Sequence, residues 1–251
     1  MAFKSLVTGI ALSVFLMCGT AFAAEKTFIN GIDANYPPHA FLDEKGKPSG
    51  FDVEAMNWIA KKMGFKVEHK AMDWDGIVPS LLAKKIDMVC SGMSMSPERK
   101  TKVTFSDPYW SIRKYFLVNN DSALTKDQLL SGKKVIGVQS GTNEAEYLKA
   151  EAAKAGWNYT LKFYESPPLA IEDLMNKRID AAAIDSAPAD EAIHKAKNPI
   201  KVIGEFAEPD DFGVAMRNED AELHKLVNQG FKLLKADPYW ETLKAKYIVS
   251  K

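Results

Sequence analysis

The sequence predicts an α/β protein made of two related halves, each built around a largely parallel sheet. Three observations carry that expectation. Strand and helix patterns alternate along the chain. The strand expected at 87–90 carries the unbroken apolar run Met88 to Cys90, as in a strand buried on both faces. A short pattern also returns: LLAKKID at 81–87 reappears as LMNKRID at 174–180, an offset of 93 residues, and AKKMGFKV (60–67) is echoed in the same order by AKAGWNY (153–159).

Taken in order, a strand is expected over 27–32, a helix over 53–62 closed near Gly64, and a strand over 66–69. A helix over 76–83 and the strand at 87–90 follow. Ser96 is a good N-cap and Pro97 suits a first helical position, so a helix should open there. In the second half, apolar strands at 135–138 and 181–184 each end in a polar loop. The alternating Lys and Glu of 144–154 reads as a solvated helix face. The AspProTyrTrp pairs at 107–110 and 237–240 read as core packing. Tyr36 and Trp74 should lie in loops at strand exits.

Residues 1–23 have the form of a secretion signal: Lys4, an apolar run from Leu6 to Met17, and the small-x-small sequence Ala21-Phe22-Ala23. Cleavage would leave Ala24 first. Met17 before Cys18 argues against a lipid anchor at that cysteine. Cys90 is then the single remaining cysteine, and its apolar surroundings suit a buried small side chain. Lys+Arg and Asp+Glu both number 33, so no basic field exists to hold nucleic acid. No metal-ligand spacing, phosphate loop or nucleophile elbow occurs, so neither a metal nor a cofactor is expected.

In open α/β sheets ligands bind outside the carboxyl ends of the strands, which turns Ser91-Gly92-Met93-Ser94 and Asp185-Ser186 toward one cleft. Ser91 and Ser94 offer hydroxyls, Gly92 allows close backbone approach, and Arg99 presents a fork matched to a carboxylate. The same residues also fit a well-capped surface helix with a solvated arginine. The hydroxyl of Thr142 at a second helix start suits an anion too. Asp185, at the end of an apolar strand, needs a cation or an open cleft, although a simple turn aspartate would serve. The rings of Tyr36 and Trp74 can sandwich the stem of a ligand, although core packing is the usual role of a lone aromatic.

The motifs DANYPP (33–38), GFDV (50–53), DWDGIVPSL (73–81), KIDMVCSGMS (85–94), PERK (97–100), FSDPY (105–109), GVQSGT (137–142), RIDAAAID (178–185) and FGVAMR (212–217), in this order, resemble the polar amino acid-binding family of bacterial extracytoplasmic solute-binding proteins. The resemblance covers essentially the whole chain after the leader. It implies a two-lobed periplasmic binding protein fold of type II, with lobe 1 at 24–115 and 210–251, lobe 2 at 116–209, and a cleft between lobes joined by two hinge segments. By resemblance, Arg99 binds an α-carboxylate with help from Ser94 and Thr142. Asp185 holds the α-ammonium with the Gly92 carbonyl. Tyr36 and Trp74 stack on the side chain, Ser91 lies in the same loop, and Asp33 accepts from a side-chain amide or cation. His39 and Ile184 depart from the family pattern, and His39 is expected to be a packing residue.

The implied partners are a free amino acid, glutamine, arginine, lysine or histidine, and an inner-membrane ABC permease that reads the closed form. The expected protein is a periplasmic monomer and not an enzyme. Cyclohexadienyl dehydratases resemble the same scaffold, which leaves a prephenate or arogenate dehydratase as the rival, and a ligand-binding sensor as a third reading.

Overall fold

The computed structural model describes residues 25–248. The expected leader, its cleavage site and Cys18 lie outside them. Strand β1 (Thr27–Ile32) leads through β2 (Asn35–Tyr36), β3 (Ala40–Leu42) and β4 (Pro48–Ser49) into α1 (Phe51–Met63). Phe51, Val53, Met56 and Ile59 recur at helical spacing and bury one face of α1. Gly64, at φ 76°, ends it in the left-handed conformation that glycine adopts without strain. Next come β5 (Lys66–Ala71), a 3₁₀ turn at Trp74–Gly76, α2 (Ile77–Leu82), β6 (Met88–Val89), α3 (Pro97–Lys100) and β7 (Thr104–Phe105).

The chain then crosses on β8 (Trp110–Asn119) into α4 (Lys126–Ser131), β9 (Lys134–Gln139), α5 (Asn143–Ala155), β10 (Tyr159–Tyr164), α6 (Pro167–Met175), β11 (Ala181–Asp185) and α7 (Ser186–Asp190). It returns on the long β12 (Ile200–Phe212) to β13 (Ala215–Met216), α8 (Ala221–Ala236) and α9 (Tyr239–Tyr247). One large sheet has the order β5-β1-β6-β13-β7 and the other large sheet β10-β9-β11-β8-β12, while β2, β3 and β4 form a small third sheet. Strands β8 and β12 pair antiparallel with register shifts along the way, and they carry the chain between the two sheets.

The repeated sequence is a repeated structure. In the first sheet Ile29 N–H donates to Asp87 Oδ2 at 2.8 Å, and Asp87 N–H donates to the Ile29 carbonyl at 2.8 Å. In the second, Val135 and Asp180 exchange the same two bonds at 2.8 and 2.9 Å. Lys84 and Lys177, 93 residues apart, both turn the chain at positive φ, 60° and 58°. The parallel strands β1, β6, β9 and β11 all end on one side, facing the space between the sheets, where their exit loops meet.

Several expectations need correction. Within the expected strand at 87–90 the paired residues are Met88–Val89, because the chain bends toward the cleft at Ser91. The helix expected over 76–83 starts as a 3₁₀ turn at Trp74. Tyr36 is not in a loop but in the short strand β2, with its ring buried. The solvated face expected over 144–154 holds for Lys149, Glu146 and Lys154, but Glu144 is buried. Core packing does explain the AspProTyrTrp pairs: Tyr109 stacks on Phe231 at 4.8 Å, and Trp110 meets Trp240 at 6.4 Å. Cys90 is fully buried and free.

Candidate functional site

Between the two sheets lies a narrow cavity lined by Asp33, Tyr36, Trp74, Ser91, Gly92, Ser94, Arg99, Thr142 and Asp185. All nine residues singled out in the sequence therefore meet at one place. Gln139, Glu144, Pro167, Ala183 and Ile184 complete the lining.

From the first sheet, β6 runs into Ser91 and Gly92. Gly92 sits at φ +59°, and a Cβ there would lie 2.5 Å from the Tyr36 ring, so only glycine fits this turn. The wholly buried Asp52 carboxylate accepts from the Gly92 N–H at 2.6 Å and from the Tyr109 hydroxyl at 2.6 Å, and it contacts His39 Nδ1 at 3.0 Å. His39 is fully buried, which agrees with its expected packing role. The Ser91 hydroxyl accepts from the Asp33 N–H at 3.0 Å.

Helix α3 starts as expected, with the Ser96 hydroxyl accepting from the Arg99 N–H and Pro97 in the first turn. Arg99 packs over the Trp74 ring at 5.3 Å, and its guanidinium donates to the carbonyls of Ser94 at 3.0 Å and Gly141 at 3.2 Å. It is half-buried. A guanidinium keeps its charge at any physiological pH and presents a planar fork, so Arg99 is the fixed positive group of the cleft.

From the second sheet, Thr142 caps α5, accepting from the Ala145 N–H and donating to the Gln139 carbonyl at 2.8 Å. Asp185, at the end of β11, is 8% exposed. Burial and the neighbouring Glu144 charge push its pKa well above the usual carboxylate value, while the hydrogen bond from Tyr36 and the Lys114 charge pull the other way. The Tyr36 hydroxyl donates to Asp185 Oδ2 at 2.5 Å, and Oδ1 has no hydrogen-bond partner among the described residues. Burial likewise raises the Asp33 carboxyl, against the lowering effect of hydrogen bonds from Gln139 and Asn35.

Four hydrogen bonds cross the cleft. Tyr36 reaches Asp185, Gln139 Nε2 donates to Asp33 Oδ2 at 2.7 Å, and both Trp74 Nε1 and Arg99 donate to the Gly141 carbonyl. A carboxylate near Arg99 and an ammonium near Asp185 would complete this arrangement, because each ligand charge would meet an opposite charge from a different half of the chain.

Sequence reasoning took Gln139 only as part of the polar loop at a helix start, and passed over Glu144. Gln139 ends β9 as Asp33 follows β1, a position the polar loop at 139–143 already marked. Glu144 gave no signal of its own within a run of alternating charge.

Residues 28–250 match the family profile of the bacterial extracellular solute-binding proteins, family 3. The L-cystine-binding protein of Escherichia coli (strain K12) is 32% identical over 248 residues, covering 97% of this chain and 91% of that protein. An ancestral arginine-binding protein bound to arginine superposes with a TM-score of 0.82 at 34% identity, covering 90% of this chain and 99% of the other. An ancestral amino acid-binding protein that is a precursor of cyclohexadienyl dehydratase gives a TM-score of 0.80 at 33% identity, covering 89% and 96%.

Proposed function

Because the chain belongs to the bacterial extracellular solute-binding proteins, family 3, we propose that it is the periplasmic substrate-binding component of an amino acid ABC importer. It captures one free polar or basic amino acid in the cleft and hands it to a membrane permease. Arg99 takes the α-carboxylate with Ser94 and Thr142, Asp185 and the Gly92 carbonyl take the α-ammonium, and Tyr36 and Trp74 enclose the side chain. Asp33 sets the preference for a side-chain amide or cation. The observation that carries this reading is the opposition of Arg99 and Asp185 across one cavity. They belong to different halves, Arg99 on α3 and Asp185 at the end of β11, so a zwitterion bound to both favours the closed form over the open one.

The lobes are taken as 24–115 with 210–251 and as 116–209, and residues 1–23 as the export signal. Among the described residues no helix is long and apolar enough to cross a membrane. The protein works as a monomer and performs no chemistry on its ligand. A dehydratase is the second reading, favoured by a cleft aspartate whose raised pKa would suit a general acid.

A thermal-shift panel tests the first reading. The protein is unfolded and refolded to strip carried ligand, then heated with each common amino acid, cystine, prephenate or arogenate. A ligand at a hundredfold excess over Kd stabilises the folded state by about 2.7 kcal/mol. A large shift with one amino acid class supports the receptor. Shifts confined to prephenate or arogenate, with phenylpyruvate or phenylalanine released, would replace it with the enzyme.

A further inference from the structure

We propose that Glu144 is a second ammonium-binding carboxylate, acting beside Asp185 on the α-ammonium of the bound amino acid. The proposal rests on the receptor reading above.

Glu144 lies in the first turn of α5 and lines the same cavity as Asp185. It is 6% exposed, and its Oε1 has no hydrogen-bond partner among the described residues. A first-turn acid gains from the helix dipole when it faces water, so that gain does not require burial. A buried carboxylate needs donors. The nearest cation, Lys114 Nζ, stands 3.8 Å from Oε1, beyond hydrogen-bond reach, and is committed to Asp210 Oδ2 at 2.6 Å. Lys114 cannot therefore satisfy Glu144 in this geometry. Asp210 is held further by Asn143 Nδ2 at 3.2 Å.

Asp185 stands in the same position: it is nine-tenths buried, with one oxygen bonded to Tyr36 and the other without a partner. Strand β11 places it opposite Lys114 on β8, so both acids share that single lysine. Two carboxylates in one cleft, each with an oxygen lacking a donor, call for a group bearing several N–H donors and a positive charge. An α-ammonium has three such donors. With Asp185 and the Gly92 carbonyl as two acceptors, Glu144 supplies the third. Arg99 keeps its remaining N–H donors for the α-carboxylate.

The test compares amino acids with analogues lacking only the α-amino group, by calorimetric competition on the refolded full chain. The probe pairs are arginine with 5-guanidinopentanoate, lysine with 6-aminohexanoate, glutamine with glutaramate, and histidine with 3-(imidazol-4-yl)propanoate, and the pair used contains the amino acid that shifts the melting temperature most. Glu144→Gln is expected to weaken the amino acid about tenfold and to leave the deamino analogue within about twofold. Glu144→Asp, which keeps the charge on a shorter arm, should fall between wild type and Glu144→Gln. An equal loss for amino acid and analogue would make Glu144 a structural residue and overturn the proposal, as would no loss for either. Circular dichroism confirms that each variant is folded; should Glu144→Gln fail to fold, the selective loss must appear in Glu144→Asp, and its absence there overturns the assignment. Failure of wild type to bind any amino acid would instead overturn the receptor reading itself.

Discussion

The two halves of this protein share a backbone plan and differ where they face the cleft. Asp87 and Asp180 lock equivalent strands through identical hydrogen bonds, so Ile29 corresponds to Val135 and, four residues on, Asp33 to Gln139. The 93-residue offset pairs Trp74 with Pro167 and Gly92 with Asp185. At each of these positions the two halves carry different residues. Asp33 and Gln139 even bond each other across the cleft. The shared scaffold thus carries an asymmetric site, with Arg99 and Asp33 from the first half and Asp185 and Glu144 from the second. An amino acid zwitterion has the matching asymmetry.

The strongest way to break this comparison is to remove one charge from each half. Arg99→Ala and Asp185→Ala should each weaken the preferred amino acid by about a hundredfold or more, since charge-assisted pairs with a buried ligand are the strong ones. Titration calorimetry reads this directly. Their effects on the ligand-free protein should differ. Asp185 is a buried carboxylate with an unpartnered oxygen, so Asp185→Asn should raise the ligand-free melting temperature by a few degrees while binding is lost. If only one half's substitution weakened binding, the ligand would not bridge the halves.

A milder test acts on the contact between halves. Gly141 sits at φ +66°, and a Cβ there would lie 2.1 Å from Asp75 Oδ1 of the first half. Its carbonyl receives Trp74 and Arg99 in the closed arrangement. Gly141→Ala should therefore cost about tenfold in affinity, mostly through slower or less complete closure, with about 1 kcal/mol lost from ligand-free stability. Small-angle scattering with saturating ligand would show a larger radius than wild type. An unchanged radius and affinity would mean that closure does not depend on this contact.

The repeat was legible because short matches in fixed order survive divergence, and the strand exits were legible because small and polar residues follow apolar runs there. All nine residues named from sequence line the cavity for that reason. Glu144 was not legible. Its neighbours Lys149 and Glu146, and Lys154 and Glu151, form exposed pairs on the same helix, and only the packing of the first turn of α5 into the cleft sets Glu144 apart. The pairing of Asp33 with Gln139 was hidden too, since it depends on two strands 106 residues apart ending face to face. Tyr36 looked like a loop residue because a two-residue strand has too few positions to show alternation.

The smallest expected effect separates the halves by acid sensitivity. His69 on β5 lies beside Asn30 on β1, and its Nδ1 is 3.1 Å from Asn30 Nδ2. That amide nitrogen also donates to the Cys90 carbonyl, while Asn30 Oδ1 accepts from the Cys90 N–H, so the amide orientation is fixed. His69 Nδ1 must then accept, and Nε2 carries the proton toward Asn57 Oδ1 at 3.0 Å. Protonating Nδ1 would set two donors against each other in a mostly buried site. Burial accordingly lowers the His69 pKa from 6.5 to about 4. A folded-state pKa below the unfolded value means that the unfolded chain binds the extra proton first, so stability present above about pH 6.5 is lost as the pH falls toward 4. Asp33 and Asp185 have raised values and act with the opposite sign, gaining stability on protonation. The comparison must therefore be His69→Gln against wild type. Between pH 7 and pH 5 wild type should lose about 1–2 kcal/mol more than the variant, read from urea midpoints. Hydrogen exchange at pH 5 should place the loss in β1 and β5 and spare β9 and β10, whose equivalent pairing contains no histidine. Equal loss in both sheets would assign the acid sensitivity to groups shared by the two halves, and the distinction drawn at His69 would fail.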